Sequence, residues 1–452
     1  MRSFDVNIKP QPRQSPSMFG RPKKKRRLLK FFVIFVILIG IGWVSSKLLS
    51  KTNQIFTNKQ NIFMRAGKLI IGGDKTLIGE DEGFINILLL GMGGPGHDGP
   101  LLTDTMIVAN LNVKTSEVVL ISIPRDFIAQ LPNQGFRKIN AAYAFAEAAE
   151  PGSGGLVAAG TVEKITGMTI PYYVSIDFKG FVKAVDHVGG LDVTVEKTFT
   201  DAEYPDEKNW YLKPVTFTAG PEHMNGNRAL IFARSRHGTN SEGSDFARSE
   251  RQKKIILAFK DKVAKLNLGD VKTLNNLMND FAENVRTNLE PYEIKHLAEL
   301  ARDIKAENVY SLSLAPAGNL ICDGIIGEYE NRAYVIQPCE GKTLSDIHEF
   351  LSDVTLVAKI KKEEAKIEVQ NSTGKSYVLD SWRALQNAGF DITLTTFKSR
   401  TPYDRTILYD NSEGIKPKTL EYLKDNFNFT KADIPYSQSN ADFVIILGLD
   451  SL

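Results

Sequence analysis

Residues 31–44 read FFVIFVILIGIGWV, an apolar run without a single charge. With its flanks, residues 28–49, it covers roughly 33 Å as a helix rising about 1.5 Å per residue. The hydrocarbon core of a bilayer is about 30 Å thick. The run therefore predicts one membrane-crossing helix. Trp43 suits an interfacial position, and Lys47 can extend its ammonium to the headgroups. The basic block RPKKKRR, residues 21–27, precedes it and is expected to stay in the cytoplasm. A cleaved signal peptide is the alternative, but GWVSSKLLSK lacks a small-x-small cleavage site. The expected layout is a cytoplasmic tail at 1–27, a signal anchor at 28–49 and a polar connector at 50–83. Everything after residue 50 is then extracytoplasmic, on a single-pass protein of the cell membrane.

The chain as a whole is globular in composition. Its 56 basic and 53 acidic residues leave a net charge of +3, too close to balance to argue for a nucleic-acid partner. Cys322 and Cys339 are its two cysteines. An extracytoplasmic location permits a disulfide between them; two buried free thiols are the other reading.

From residue 84 the pattern alternates between buried-type strands and helices. FINILLLG, TMIVANLNV, SEVVLISIP, PYYVSID and LDVTVE read as strands. INAAYAFAEAA, GLVAAGTVEKITG and FKGFVKAVDHVGG read as helices, two of them stopped by glycine. Residues 84–360 are thus expected to form one layered α/β domain. KKEEAKI, residues 361–367, reads as a charged linker. Beyond it, up to residue 452, the pattern restarts as β-α-β-β-α-β, a small second α/β domain.

The segment ARSRHGTNSEGSDFARSERQ, residues 233–252, gathers Arg234, Arg236, Arg248 and Arg251 around Asp245. A helix beginning near Asp245, a good N-cap type, puts Arg248, Arg251, Gln252, Ile255 and Phe259 on one face. Ile255 and Phe259 belong in a core, so the arginines point inward at the helix start. Cations there oppose the helix dipole at roughly 0.3–1 kcal/mol each, and an anion between them would offset that cost. Arg234 and Arg236 read as alternating along a strand end, one reaching the ligand and the other reaching Asp245. A surface Arg–Asp network without a ligand is the bland reading. A second cluster points the same way. VVLISIPRDF places Arg125 and Asp126 just past a buried strand, where α/β sheets bind ligands, and FRKIN adds Arg137 and Lys138. The glycine-rich loop GMGGPGHDGPLLTD ends in Asp104, a carboxylate suited to Mg²⁺ beside phosphate oxygens.

Together NILLLG, LTDTMIV, SIPRDF, KINAAYA, DHVGGLDV and the arginine-rich segment resemble the LytR-CpsA-Psr family of bacterial envelope proteins. The resemblance covers about residues 84–265, and residues 366–448 are similar to a C-terminal domain often attached to that family. It implies a three-layer α-β-α domain with a tunnel for a lipid tail. It implies a phosphotransferase that moves a glycopolymer from a polyprenyl-pyrophosphate carrier to peptidoglycan, with Mg²⁺ (or Mn²⁺). A lipid-binding module without turnover and a pyrophosphate hydrolase are the competing functions. By motif, Arg125, Arg234, Arg236, Arg248 and Arg251 correspond to pyrophosphate-binding arginines. Gln252 and Asp245 belong to the same motif, and Asp104 corresponds to a metal-binding carboxylate. Two positions depart from the pattern: Gly93 stands where the family has Asp, and Leu102 where it often has Arg. Asp98 or His97, in the same loop, would have to replace the missing carboxylate.

The anchor makes a direct prediction. Protease added to intact, wall-stripped cells will remove the main domain and spare a tag fused at Met1. Protection of the main domain would overturn the topology.

Overall fold

The computed structural model describes residues 76–205, 214–264, 284–314, 320–327, 332–373, 375, 390–396 and 402–451. The expected anchor and basic block lie outside these residues. Among the described residues, no helix is long and apolar enough to cross a membrane.

The chain runs β1 (Phe84–Met92), β2 (Thr103–Asn112), β3 (Glu117–Ser122), β4 (Ile128–Leu131), β5 (Gly135–Lys138), α1 (Ala142–Ala149) and α2 (Gly154–Thr166). Next come β6 (Tyr172–Asp177), α3 (Phe178–His187), β7 (Leu191–Val195), β8 (Phe199–Asp201), β9 (Val215–Phe217) and β10 (Gly220–Met224). Then follow α4 (Gly226–Arg234), α5 (Asp245–Ala264), β11 (Val285–Thr287), α6 (Pro291–Arg302) and β12 (Val309–Ser313). A hairpin, β13 (Ile321–Ile326) and β14 (Ala333–Pro338), leads to α7 (Leu344–Leu351) and α8 (Val354–Glu363).

Six strands form the central sheet in the order β11-β6-β1-β2-β3-β12. It is mixed: β1 is parallel to β6 and antiparallel to β2. The period-2 geometry of a strand explains why β1 is apolar on both faces, Asn86 apart. Leu88, Leu90 and Met92 enter one core, with residues of α1, α2, α7 and α8. Ile85, Ile87 and Leu89 enter the core on the other face, with α6 and part of α5. Helices therefore cover both faces, the three-layer α/β arrangement expected. A third core, built on Phe199, Phe217, Phe232 and Ile255, joins α3, α4 and α5 to the strands β7–β9. Gly167 stops α2 at φ 71°, a left-handed conformation that glycine adopts without strain. Cys322 and Cys339 are disulfide-bonded, clasping the β13–β14 hairpin.

The second sheet holds β15 (Lys366–Asn371), β16 (Asp391–Thr396), β17 (Ile407–Asp410), β18 (Thr430–Lys431) and β19 (Phe443–Leu447), with α9 (Pro417–Asn426) between β17 and β18. Its order is β16-β15-β19-β17-β18. The expected helix at 376–389 lies outside the described residues. The expected linker at 361–367 is corrected: it is the last turn of α8, a left-handed residue at Glu364 (φ 49°) and the start of β15. Alternating Lys and Glu reads as a solvated linker, but here it is a helix end with one anchored carboxylate. Glu363 accepts from the backbone N–H groups of Lys418 and Thr419 and from the Thr419 hydroxyl, at 2.7–2.8 Å. It thereby caps the start of α9 from a neighbouring helix.

Glu363→Ala will accordingly destabilise the second sheet by about 1–2 kcal/mol, the usual cost of a lost helix cap. Urea unfolding followed by the fluorescence of Tyr422 and its neighbours will read the shift, and an unchanged midpoint would contradict the capping role.

Candidate functional site

The site gathers at one end of the central sheet. β1 ends at Met92, β3 at Ser122 and β6 at Asp177, while antiparallel β2 begins at Thr103. Asp104 and Arg125 thus meet from neighbouring strands, with Arg125 Nη1 donating to Asp104 Oδ1 at 3.0 Å. Arg125 Nε also donates to Asp126 Oδ2 at 3.4 Å, and Lys138 Nζ reaches Asp126 Oδ1 at 2.6 Å. Burial disfavours the Arg125 cation, but Asp104 and Asp126 outweigh that and hold its pKa above the ordinary arginine value. The side chains of Arg125 and Asp104 keep 35% and 44% exposure, so both remain reachable by a ligand. Arg137 stands apart, exposed on β5 and bonded to the carbonyl of Phe136.

At the same end of the sheet a cavity of about 220 Å³ opens between the sheet and helices α3, α4 and α5. Leu89, Ile107, Val174, Phe181, Leu230 and Ile256 give it an apolar lining. Its polar lining residues are Thr105, Asp177, Arg234 and Gln252, and Thr105 directly follows Asp104. The Arg234 guanidinium stacks on Phe178 at 4.2 Å and donates to the Tyr204 hydroxyl at 3.2 Å. Gln252 Nε2 faces the carbonyl of Ala233 at 3.5 Å. Asp177 caps α3 by accepting from the Gly180 N–H at 2.7 Å.

Two expectations change. Arg234 does not lie on a strand end: it is the last residue of helix α4, and Arg236 follows two positions later. The alternation seen in RSR is the unwinding of a helix terminus. Arg251 does not face a ligand. It is 2% exposed and gives its donors to the scaffold. Nε donates to the carbonyl of Phe232, Nη2 to that of Ser235, and Nη1 to both the carbonyl and the carboxylate of Glu242. Burial pulls its pKa below the ordinary arginine value, against the pull of Glu242. Spacing put Arg251 on the inward face correctly but said nothing of the carbonyls waiting there.

Asp201, 1% exposed, accepts from the backbone N–H groups of Arg236 and His237 and holds the loop that carries Arg236. Ser249 on α5 meets Ser122 on β3, hydroxyl to hydroxyl, at 2.9 Å. That contact sets Arg248, one residue earlier, above the end of β3. The Asp245 side chain lies outside what is described. Asp201, Glu242, Phe178 and Tyr204 carried no local signal in the sequence, because each acts on a residue 30 or more positions away or within a loop of irregular spacing.

The glycine-rich loop explains the departure at Gly93. A Cβ added there would lie 2.8 Å from the Cβ of His97. The imidazole takes that space and meets Phe178 edge-on at 5.3 Å. A carboxylate at position 93 and His97 in this place exclude each other. Asp98 is exposed on the same loop. Among the described residues, no group of three His, Cys, Asp or Glu side chains is placed to hold a metal.

The model of the LytR_cpsA_psr family matches residues 46–340. The chain belongs to this family. A relative from Enterococcus faecalis, polyisoprenyl-teichoic acid–peptidoglycan teichoic acid transferase TagU, is 30% identical over 274 residues, covering 59% of this chain and 78% of the relative. The Bacillus subtilis protein TagV, of the same transferase name, is 28% identical over 294 residues, covering 64% and 70%. The crystal structure of TagV superposes with a TM-score of 0.44 at 28% identity, over 60% of this chain and 96% of that one. The chain is thus an enzyme of a transferase family.

The two kinds of arginine differ in a measurable way. Arg251→Met will lower stability by roughly 3 kcal/mol or more, since it strands Glu242 and three carbonyls. Arg125→Ala and Arg234→Ala will unfold within about 1 kcal/mol of wild type. Guanidinium denaturation will rank the three; equal losses would refute the division.

Proposed function

We propose that the protein is a membrane-anchored phosphotransferase that moves a glycopolymer from a polyprenyl-pyrophosphate carrier to peptidoglycan, on the outer side of the cell membrane. One observation carries this reading: an apolar cavity inside the domain meets Arg234 at its polar end, at the end of the sheet that also carries the Arg125–Asp104 pair. A long hydrocarbon chain and a doubly charged head need those two environments side by side. The named relatives, polyisoprenyl-teichoic acid–peptidoglycan teichoic acid transferases, also take a donor with a polyisoprenyl group.

In the transfer, an acceptor hydroxyl attacks the glycan-bearing phosphorus, the bond to the bridging oxygen breaks, and polyprenyl phosphate leaves. The product is a phosphodiester. Little covalent work falls to the protein, so positioning and charge neutralisation dominate. Arg125, held between two carboxylates, meets the pyrophosphate in a fixed orientation, and a bidentate guanidinium contact suits that geometry. Arg234 is aimed from the other side by Phe178 and Tyr204. Lys138, bound to Asp126, adds positive charge beside Arg125, and Arg236 and Arg248 would add theirs from the segment that carries Arg234. Arg251 acts at one remove by keeping this segment in place.

Among the described residues no preformed cage for Mg²⁺ is built, but the ion commonly takes one or two carboxylates and completes its shell with water and substrate phosphates. Asp104, with Asp98 as the second carboxylate, would hold it in that way; Mn²⁺ would serve alike. When bound, it would neutralise charge on the phosphates.

Arg125→Ala will slow release of polyprenyl phosphate in the presence of peptidoglycan by about 10- to 150-fold while leaving the fold intact, because a charged contact to phosphate is worth about 1.5–3 kcal/mol and its loss leaves phosphate oxygens unpaired. Calorimetric Mg²⁺ titration will show tight binding only with a soluble pyrophosphate-lipid analogue present, and Asp104→Asn will remove it. Release of polyprenyl phosphate without any acceptor would convert the reading to hydrolysis. Lipid binding with no release at all would convert it to a binding module.

A further inference from the structure

The two β-hairpins next to Arg125 share an exposed face that the pyrophosphate site leaves unused. β14 is tied to the residues just after Arg125: Phe127 bridges Ile336 in parallel, and the Ile336 N–H donates to the carbonyl of Asp126 at 2.9 Å. On β14, Tyr334 stands directly opposite Ile325 of β13, and such facing pairs project from the same side of a hairpin. The Lys138 ammonium of β5 lies 5.9 Å from the centre of the Tyr334 ring while it binds Asp126. Phe136, two residues earlier on β5, projects on the same side as Lys138. Ile325, Phe136 and Tyr334 are 67%, 60% and 48% exposed. The Tyr334 hydroxyl donates to Asp323 Oδ1 at 2.6 Å, and Asp323 is itself exposed.

Apolar side chains exposed together mark an interaction surface, and the chemistry around them narrows the partner. The hairpin sequences, residues 128–138 and 321–338, hold Arg137, Lys138 and Arg332 against Asp323, Glu328 and Glu330. Balanced charge gives no pull toward an anionic lipid surface. An accessible aromatic ring beside an exposed carboxylate suits a sugar instead. The C–H face of a sugar ring rests on the electron-rich face of an aromatic one. A carboxylate accepts from several donors at once, so Asp323 can hold a sugar hydroxyl while it keeps the Tyr334 hydroxyl.

The sheet separates this surface from the apolar cavity. Leu89, Ile107 and Val174 of the cavity lie on the sheet face that α6 and part of α5 cover. The hairpins send Ala129, Leu131, Ile321 and Ile336 into the core on the opposite face. Arg125 stands at the sheet end between the two. Phosphoryl transfer places the attacking and leaving oxygens roughly in line, on opposite sides of the phosphorus. A carrier whose hydrocarbon fills the cavity keeps its leaving oxygen on the cavity side. The attacking hydroxyl then arrives from the side of the hairpins.

We infer that the hairpin face binds the acceptor glycan, with one sugar ring lying on Tyr334 and giving a hydroxyl to Asp323, and with Ile325 and Phe136 beneath neighbouring rings. The inference rests on the transferase reading and adds to it the surface on which the acceptor docks.

The test is calorimetric titration of the full-length protein in detergent with chitotetraose, an N-acetylated glycan. Saturable binding is expected. Tyr334→Ala and Asp323→Ala, both at exposed positions, will each weaken it about five- to ten-fold, the scale of one aromatic or charge-assisted contact. Arg234→Ala, on the cavity side, will leave it unchanged. In the transfer assay Tyr334→Ala will raise the KM for the glycan acceptor by the same factor and leave the affinity for a pyrophosphate-lipid analogue as it was. No saturable binding, as a lipid-contacting patch would give, overturns the inference, as does binding indifferent to both hairpin variants or lost in Arg234→Ala. The two readings fail separately. Glycan binding that follows the hairpin variants without any transfer would leave this site and remove the transferase. Transfer whose acceptor KM ignores Tyr334→Ala would do the reverse.

Discussion

The arginine segment depends on one buried guanidinium. Arg251 ties the end of α4, the loop after it and the first turns of α5 through four hydrogen bonds. Each of those pieces carries another arginine: Arg234 closes α4, Arg236 sits in the loop, and Arg248 lies one turn before Arg251. A cation buried this deeply is stable only when every direction offers an acceptor, and the carbonyls of a helix end and an irregular loop provide them. The crowding of four arginines therefore has two causes. One holds the chain in place, and the others are what it holds.

That division relates stability to chemistry in the same few residues. A segment carrying several like charges repels itself and would spread into solvent without an internal tie. Arg251, Glu242 and Asp201 supply that tie with groups the ligand does not need. Arg125 shows the same design on a smaller scale. Its two carboxylate neighbours orient it while leaving it open to solvent, so little rearrangement is required when an anion arrives.

The exchange between Gly93 and His97 shows how a loop can trade one group for another without changing its path. An imidazole occupies the volume that a side chain at 93 would need, and it rests against Phe178. Phe178 in turn carries Arg234. The loop is thereby coupled by packing to the cavity mouth, where a carboxylate would have been coupled by charge. Under the proposed function, a cation at this site would rely more heavily on the phosphates of its ligand.

Much of the architecture was legible in the chain itself. Two-sided apolar strands require helices on both faces, since neither face of such a strand tolerates water, and glycine stops such as Gly167 mark helix ends because few other residues adopt that backbone. Asp104 and Arg125 could be named from their places at strand ends. What spacing could not supply was contact. Arg234 and Arg236 read as a strand end because RSR alternates by chance where α4 unwinds. The charge run at 361–367 read as a linker because the N–H groups that Glu363 caps lie more than 50 residues away. Arg251 read as a ligand-binding residue because its inward direction was correct and its acceptors were invisible. Local periodicity determines which way a side chain points; only the folded chain decides what it meets there, because those partners come from segments with no fixed distance in sequence.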